Sequence, residues 1–141
     1  MSEEINSQEK ARPTIFLIEE DDDARPSLTA NLRRQGYRVL VAAGLEDAHE
    51  WVSGESLINA ELVLINLVRR TPEEAVKLGR ELRDHARYDG QTPLVVMPER
   101  VPEELEGTDV NVGGNDWVCY YDEDSHQLQR LLARLLDKTP G

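Results

Sequence analysis

Cysteine is nearly absent from this chain: Cys119 is the only one in 141 residues. An internal disulfide is therefore impossible, and a cysteine-based zinc site is disfavoured. Cys119 itself reads as a small buried strand residue. Long hydrophobic runs are missing too. No apolar stretch approaches the roughly 18 residues of a membrane span, and residues 1–12 are polar and charged, without the apolar centre of a secretory signal. A soluble, cytoplasmic protein is expected. Positive charge is scarce: 16 Lys and Arg face 28 Asp and Glu, a formal net charge of -12. That balance repels nucleic-acid phosphates and anionic membranes, so neither is expected as a direct partner.

What is present has the length of one domain, enough to bury a core without staples. A mobile leader is predicted over 1–13, a single domain over 14–138, and a short tail over 139–141 that could begin a linker. Apolar runs of strand length alternate with segments of helical period. Strands are predicted at 14–19, 38–42, 61–67, 93–97 and 116–120. Several are apolar throughout, as in a parallel sheet covered by helices on both faces.

The helices carry start and stop signals. Asp23 can cap a first helix with Pro26 in its opening turn, Leu28 and Leu32 on one side, and Gly36 closing it. A short second helix is predicted over 45–53. Thr71, Pro72 and Glu74 have capping-box spacing for a third, in which Ala75, Leu78, Leu82 and Ala86 recur at helical period. Leu128, Leu131, Leu132, Leu135 and Leu136 form a core-facing stripe on a last helix that Asp124 could cap. Between Glu99 and Gly114, Pro102, Gly107, Gly113 and Gly114 break the pattern, so a fourth helix is expected to be short or absent. The fold class is α/β, a doubly wound, five-stranded parallel sheet of flavodoxin-like type.

Ligands of such sheets lie beyond the carboxyl ends of the strands, where Glu19, Glu20, Asn66, Pro98 and Tyr120 fall. Five pieces of the chain, at 15–21, 33–39, 61–67, 93–96 and 113–118, together resemble the receiver domain of two-component response regulators from about Thr14 to Leu136. In that family, paired acids after the first strand hold magnesium and an aspartate after the third accepts a phosphoryl group. A Ser or Thr after the fourth senses it, and a lysine after the fifth pairs with it. The resemblance places the acids at Glu19 and Glu20, the acceptor at Asn66, the hydroxyl at Pro98 (or its neighbour Met97) and the lysine at Tyr120, followed by Tyr121 in place of a proline.

Each departure removes chemistry. An amide is a poor nucleophile and cannot form the acyl phosphate at Asn66. No Ser or Thr lies between Pro93 and Val101, and no Lys lies between Lys77 and Lys138. Two Glu beside neutral Asn66 and Tyr120 keep the family pocket's formal charge of minus two. Each Glu arm is about 1.5 Å longer than Asp, so magnesium binding is expected to be weak or absent, and no cofactor is expected. Arg69 and Arg70 are candidate internal counter-ions for the two glutamates, against a reading as solvated loop residues. Asp21, Asp22 and Asp23 read first as a solvated capping run.

Trp117 takes the place of the aromatic side chain that receivers rotate on activation, and with Pro98 at the hydroxyl position it should stay in one state. Trp117, Tyr120 and Tyr121 cluster within five positions, which makes them interface candidates. The expected function is a pseudo-receiver: a non-enzymatic, phosphorylation-independent adaptor in phosphorelay signalling, bound to a protein partner or to a second copy of itself. Two alternatives stand beside it. One is a receiver that accepts phosphate on Asp21 or Asp22, and the other is the input domain of a longer regulator whose DNA-binding output domain lies elsewhere.

Overall fold

A computed structural model describes residues 12–53, 59–88, 90–122 and 126–136. Asp124, the leader up to residue 11 and the 139–141 tail lie outside them. The chain order is β1 (Thr14–Glu19), α1 (Ala24–Arg34), β2 (Arg38–Ala42), α2 (Leu45–Ser53), β3 (Leu62–Asn66), α3 (Pro72–His85) and β4 (Leu94–Val96). A short 3-10 turn (Glu103–Leu105), β5 (Thr108–Gly113), β6 (Asp116–Tyr120) and α4 (His126–Leu136) complete it.

The sheet order is β2-β1-β3-β4-β6-β5. The first five are the five predicted parallel strands, and β5 adds an antiparallel edge against β6. Continuous burial of the strands follows from helices on both faces. Phe16, Ile18, Val63 and Ile65 pack with residues of α2 and α3 on one side. Ile15, Leu17, Leu62 and Leu64 pack on the other with Leu32 of α1 and with Leu128, Leu131, Leu132 and Leu136 of α4. The leucine stripe of the last helix is thus core. Cys119 is fully buried there, and burial pushes its thiol up to about 12, so it is an unreactive core residue.

Helix ends follow the sequence, with one correction. Thr71 Oγ1 accepts from the Glu74 amide at 3.1 Å and the Glu74 carboxylate accepts from the Thr71 amide at 3.0 Å, a complete capping box. Gly36, at φ 101, closes α1 as the Tyr37 amide bonds Leu32 O and the Gly36 amide bonds Arg33 O. Asp23 stands at the start of α1 but makes no side-chain cap. Asp21 caps in its stead, its Oδ1 accepting from the amides of Asp23 at 2.9 Å and Ala24 at 3.3 Å.

The interval from Glu99 to Gly114 holds the 3-10 turn and then a strand, in agreement with a short or absent helix there. Arg80 fixes the new edge: its Nε donates to Asp116 Oδ2 at 2.7 Å and its Nη2 to the Val112 carbonyl at 2.9 Å. Arg83 grips the same carboxylate with both Nη atoms, at 2.5 and 3.2 Å, and donates to Thr92 O at 3.0 Å. Asp116 and Arg83 are both buried, so α3 and the β5–β6 hairpin share one desolvated ion pair.

Candidate functional site

β1 and β3 run side by side with Glu19 opposite Asn66, so the register itself brings the two strand-end side chains together. Asn66 Nδ2 donates to Glu19 Oε1 at 3.0 Å, and the Asp21 amide donates to Glu19 Oε2 at 3.1 Å. Glu19 is fully buried, and its carboxyl is raised above 4.5, foremost by desolvation, with the Asn66 and Asp21 hydrogen bonds pulling the other way. Asn66 Oδ1 is buried and has no hydrogen-bond partner among the described residues. A carboxylate in place of the amide would set two acids against each other here. The amide turns that repulsion into a hydrogen bond.

Glu20 serves the backbone. Its amide donates to Asn66 O at 3.0 Å and its Oε1 accepts from the Val68 amide at 3.0 Å, which anchors the loop after β3. Both Glu19 oxygens and one of Glu20 are thus committed to N–H donors. Among the described residues no group of three His, Cys, Asp or Glu converges as a cation cage. A cation bound there would compete with these N–H donors for the same carboxylates.

Next to Asn66 is a cavity of about 310 Å³, lined among others by Glu19, Asp21, Asn66, Met97, Glu99 and Tyr121. Tyr121 faces it, and its hydroxyl is held above 10, chiefly by burial and then by Glu19, Cys119 and Glu99. Tyr120, the position assigned to the lysine, opens elsewhere: it lines a groove of about 330 Å³ between α3 and the hairpin, with Val76, Val110, Val112 and Val118. Successive strand residues point to opposite faces, so a shift of one position in the sequence assignment exchanges the two tyrosines. Pro98 is buried and borders a third cavity of about 410 Å³ with Arg69, Arg70 and Arg100.

Neither Arg69 nor Arg70 makes a hydrogen bond or ion pair with Glu19 or Glu20 among the described residues. Arg69 adopts φ 59, and its amide donates to Glu99 Oε1 at 3.1 Å. The cation that does approach the site is Arg25 of α1. Its Nε donates to the Glu19 carbonyl at 2.9 Å, its Nη2 pairs with Asp22 at 2.5 Å, and its charge favours the ionised Glu19. Sequence spacing offered a signal for it, since Arg25 follows Glu19 by six residues at the first turn of α1, but the loop arginines beside Asn66 drew the assignment.

The interface candidates do not share one face. Trp117 and Tyr121 pack on the α1–α4 side of the sheet and Tyr120 on the α2–α3 side. Trp117 is half-buried, with the Arg134 guanidinium 5.1 Å from its ring centroid and its Nε1–H donating to Asn115 Oδ1 at 3.4 Å.

No family model matches the chain. A curated relative from Bacillus subtilis (strain 168), named an uncharacterized transcriptional regulatory protein, YkoG, is 28% identical over 127 residues, 86% of this chain. The chain spans about half, 48%, of that relative's length. Among solved structures, a response regulator receiver protein from Sinorhizobium medicae aligns over 90% of this chain and 96% of its own at 17% identity, with a TM-score of 0.65. The chemotaxis protein CheY4 of Vibrio cholerae aligns over 88% and 98% at 15% identity, with a TM-score of 0.63. The receiver domain of sensor histidine kinase PA1611 from Pseudomonas aeruginosa, solved with magnesium in its active-site cleft, aligns over 89% and 98% at 21% identity, with a TM-score of 0.58. The fold is therefore that of response regulator receiver domains.

Proposed function

We propose that this receiver-fold chain is a docking module of a two-component pathway that works without phosphorylation at Asn66. The observation that carries the reading is the hydrogen bond from Asn66 Nδ2 to the buried Glu19 carboxylate. The side chain in the acceptor's place is a neutral amide held as a donor, so it lacks the negative charge that makes a carboxylate oxygen attack phosphorus. Buried Pro98 brings no hydroxyl to sense a phosphoryl group, and neither Tyr120 nor its neighbour Tyr121 brings a cation to stabilise one. Weak or absent magnesium binding belongs to the same reading, because a cation would compete with N–H donors for both Glu19 oxygens and for Glu20 Oε1.

The chain then acts by shape, in one state, as a non-enzymatic cytoplasmic adaptor for a protein partner. Of the three aromatic candidates, Tyr120 has the best claim to that contact, because it lies beside exposed Val110 and Val112 in the groove against α3. Capture of partners from the native host, with and without a low-molecular-weight phosphodonor, tests this. The same partners should be recovered in both cases, and Tyr120→Ala should weaken recovery. Recovery that depends on the phosphodonor would contradict the proposal. The similarity to half of a transcriptional regulatory protein favours a second reading, an input domain within a longer regulator. The length of the native reading frame decides between the two.

A further inference from the structure

His49 of α2 and His85, the last residue of α3, meet on the outside of the helix pair, away from the acidic pocket. Their Nδ1 atoms are 2.8 Å apart, with ring centroids 5.0 Å apart and planes tilted by 32°. His85 Nε2 lies 2.9 Å from Ser53 Oγ, and Ser53 Oγ lies 2.7 Å from the His49 carbonyl oxygen.

These distances assign the protons. A carbonyl only accepts, so the single Ser53 hydroxyl proton goes to the His49 carbonyl. Ser53 Oγ must then accept from His85, which places the His85 proton on Nε2 and leaves a lone pair on His85 Nδ1 directed at His49. The three side chains have the spacing of a nucleophile, a base and its orienter. The Ser53 proton is committed to a carbonyl and not to His85, however, so the hydroxyl is not activated. What the relay does is fix an imidazole tautomer with its free nitrogen facing a second imidazole. Outer hydrogen bonds of this kind orient histidine metal ligands.

We propose that His49 and His85 form a two-imidazole site for a divalent transition-metal ion of the copper(II) or nickel(II) type. Two nitrogens on a metal at about 2.0 Å lie about 2.8 Å apart when they are cis at a right angle, as in tetragonal copper and nickel sites. A tetrahedral zinc ion would need them about 3.3 Å apart. The ion takes the place of the proton between the rings, and that proton moves to His49 Nε2, so both imidazoles stay neutral. His85 is exposed and His49 half-buried, so the His85 ring can turn its lone pair toward a point shared with His49, and the open side leaves water room to complete the coordination. No third His, Cys, Asp or Glu joins them among the described residues. The bound ion clips α2 to α3, and Ser53 is a positioning residue.

Calorimetric titration of the full chain with nickel(II) should show one equivalent bound. His49→Gln and His85→Gln should each weaken binding by about tenfold or more, and Ser53→Ala should weaken it by about tenfold through the lost tautomer restraint. His126→Gln, which removes the remaining histidine on α4, should leave affinity unchanged. Pulsed electron paramagnetic resonance of the copper(II) complex of the unmodified chain should register two imidazole nitrogens and needs no variant. Unchanged nickel affinity in both His49→Gln and His85→Gln, or a copper spectrum with fewer than two imidazoles, would overturn the proposal.

Discussion

Glu19 shows how burial and its hydrogen-bond partners set the proton affinity of one carboxyl. Its carboxyl is raised, so the folded state holds a proton more tightly than the unfolded chain. Its contribution to stability is therefore greatest below about 4.5 and falls as the pH rises through the raised value. Glu19→Gln should remove that fall, measured as the difference in urea midpoint between variant and wild type across pH 4 to 8. A difference that does not vary with pH would contradict the burial argument. Glu74 has the opposite sign: its carboxyl is lowered by the Thr71 hydrogen bonds, so its contribution is present above 4.5 and lost as the pH falls through the lowered value. The buried Asp116 offers a larger effect. Asp116→Ala strands the Arg83 guanidinium, and the expected cost is about 3–5 kcal/mol in equilibrium unfolding. A loss below about 1 kcal/mol would show that the pair is no better than a surface one. Asn66 could be read from the sequence because its chemistry depends on identity alone. The Asp116–Arg83–Arg80 cluster could not, because nothing in a linear chain announces that an acid at the head of a strand will be desolvated by two arginines three residues apart on a distant helix.

At the scale of elements, Gly79 marks the closest packing of α3 on the sheet. A Cβ there would lie 2.8 and 2.9 Å from the Leu94 methyls and 3.0 Å from Ile65 Cδ1. Gly79→Ala should therefore destabilise by about 1–3 kcal/mol despite its better helix propensity, read as a lowered thermal midpoint. A neutral or stabilising result would mean that the leucine rotates away freely. Sequence reading found every parallel strand because buried strands announce themselves as apolar runs, and it found α3 through its capping box. The β5–β6 hairpin escaped for a physical reason. Asp109-Val110-Asn111-Val112 alternates with period two and runs into Gly113 and Gly114, whose φ of 125 and 53 turn the chain. Those glycines read equally well as helix breakers, so the residues that predict a short or absent helix do not by themselves announce a hairpin. The two tyrosines after β6 part for a related reason: successive strand residues face opposite sides, and one residue separates the tyrosine at the pocket from the tyrosine at the groove.

Over the whole molecule, the fold is that of receiver domains, and the strand-end side chains of the pocket are tied to one another and to the backbone by hydrogen bonds. Between β4 and the last parallel strand, where a fourth helix is expected to be short or absent, an edge strand is bound through Arg80 and Asp116, and the acid pair turns inward to Asn66 and the Val68 amide. No helix of the described residues is long and apolar enough to cross a membrane. The central claim is that Asn66 has closed the phosphoryl route. Incubation of the full chain with acetyl phosphate and magnesium, followed by intact mass measurement, tests it most directly. The mass should remain that of the unmodified chain. A stable gain of one phosphoryl group, mapped to Asp21, Asp22 or any other acid of the pocket, would contradict it.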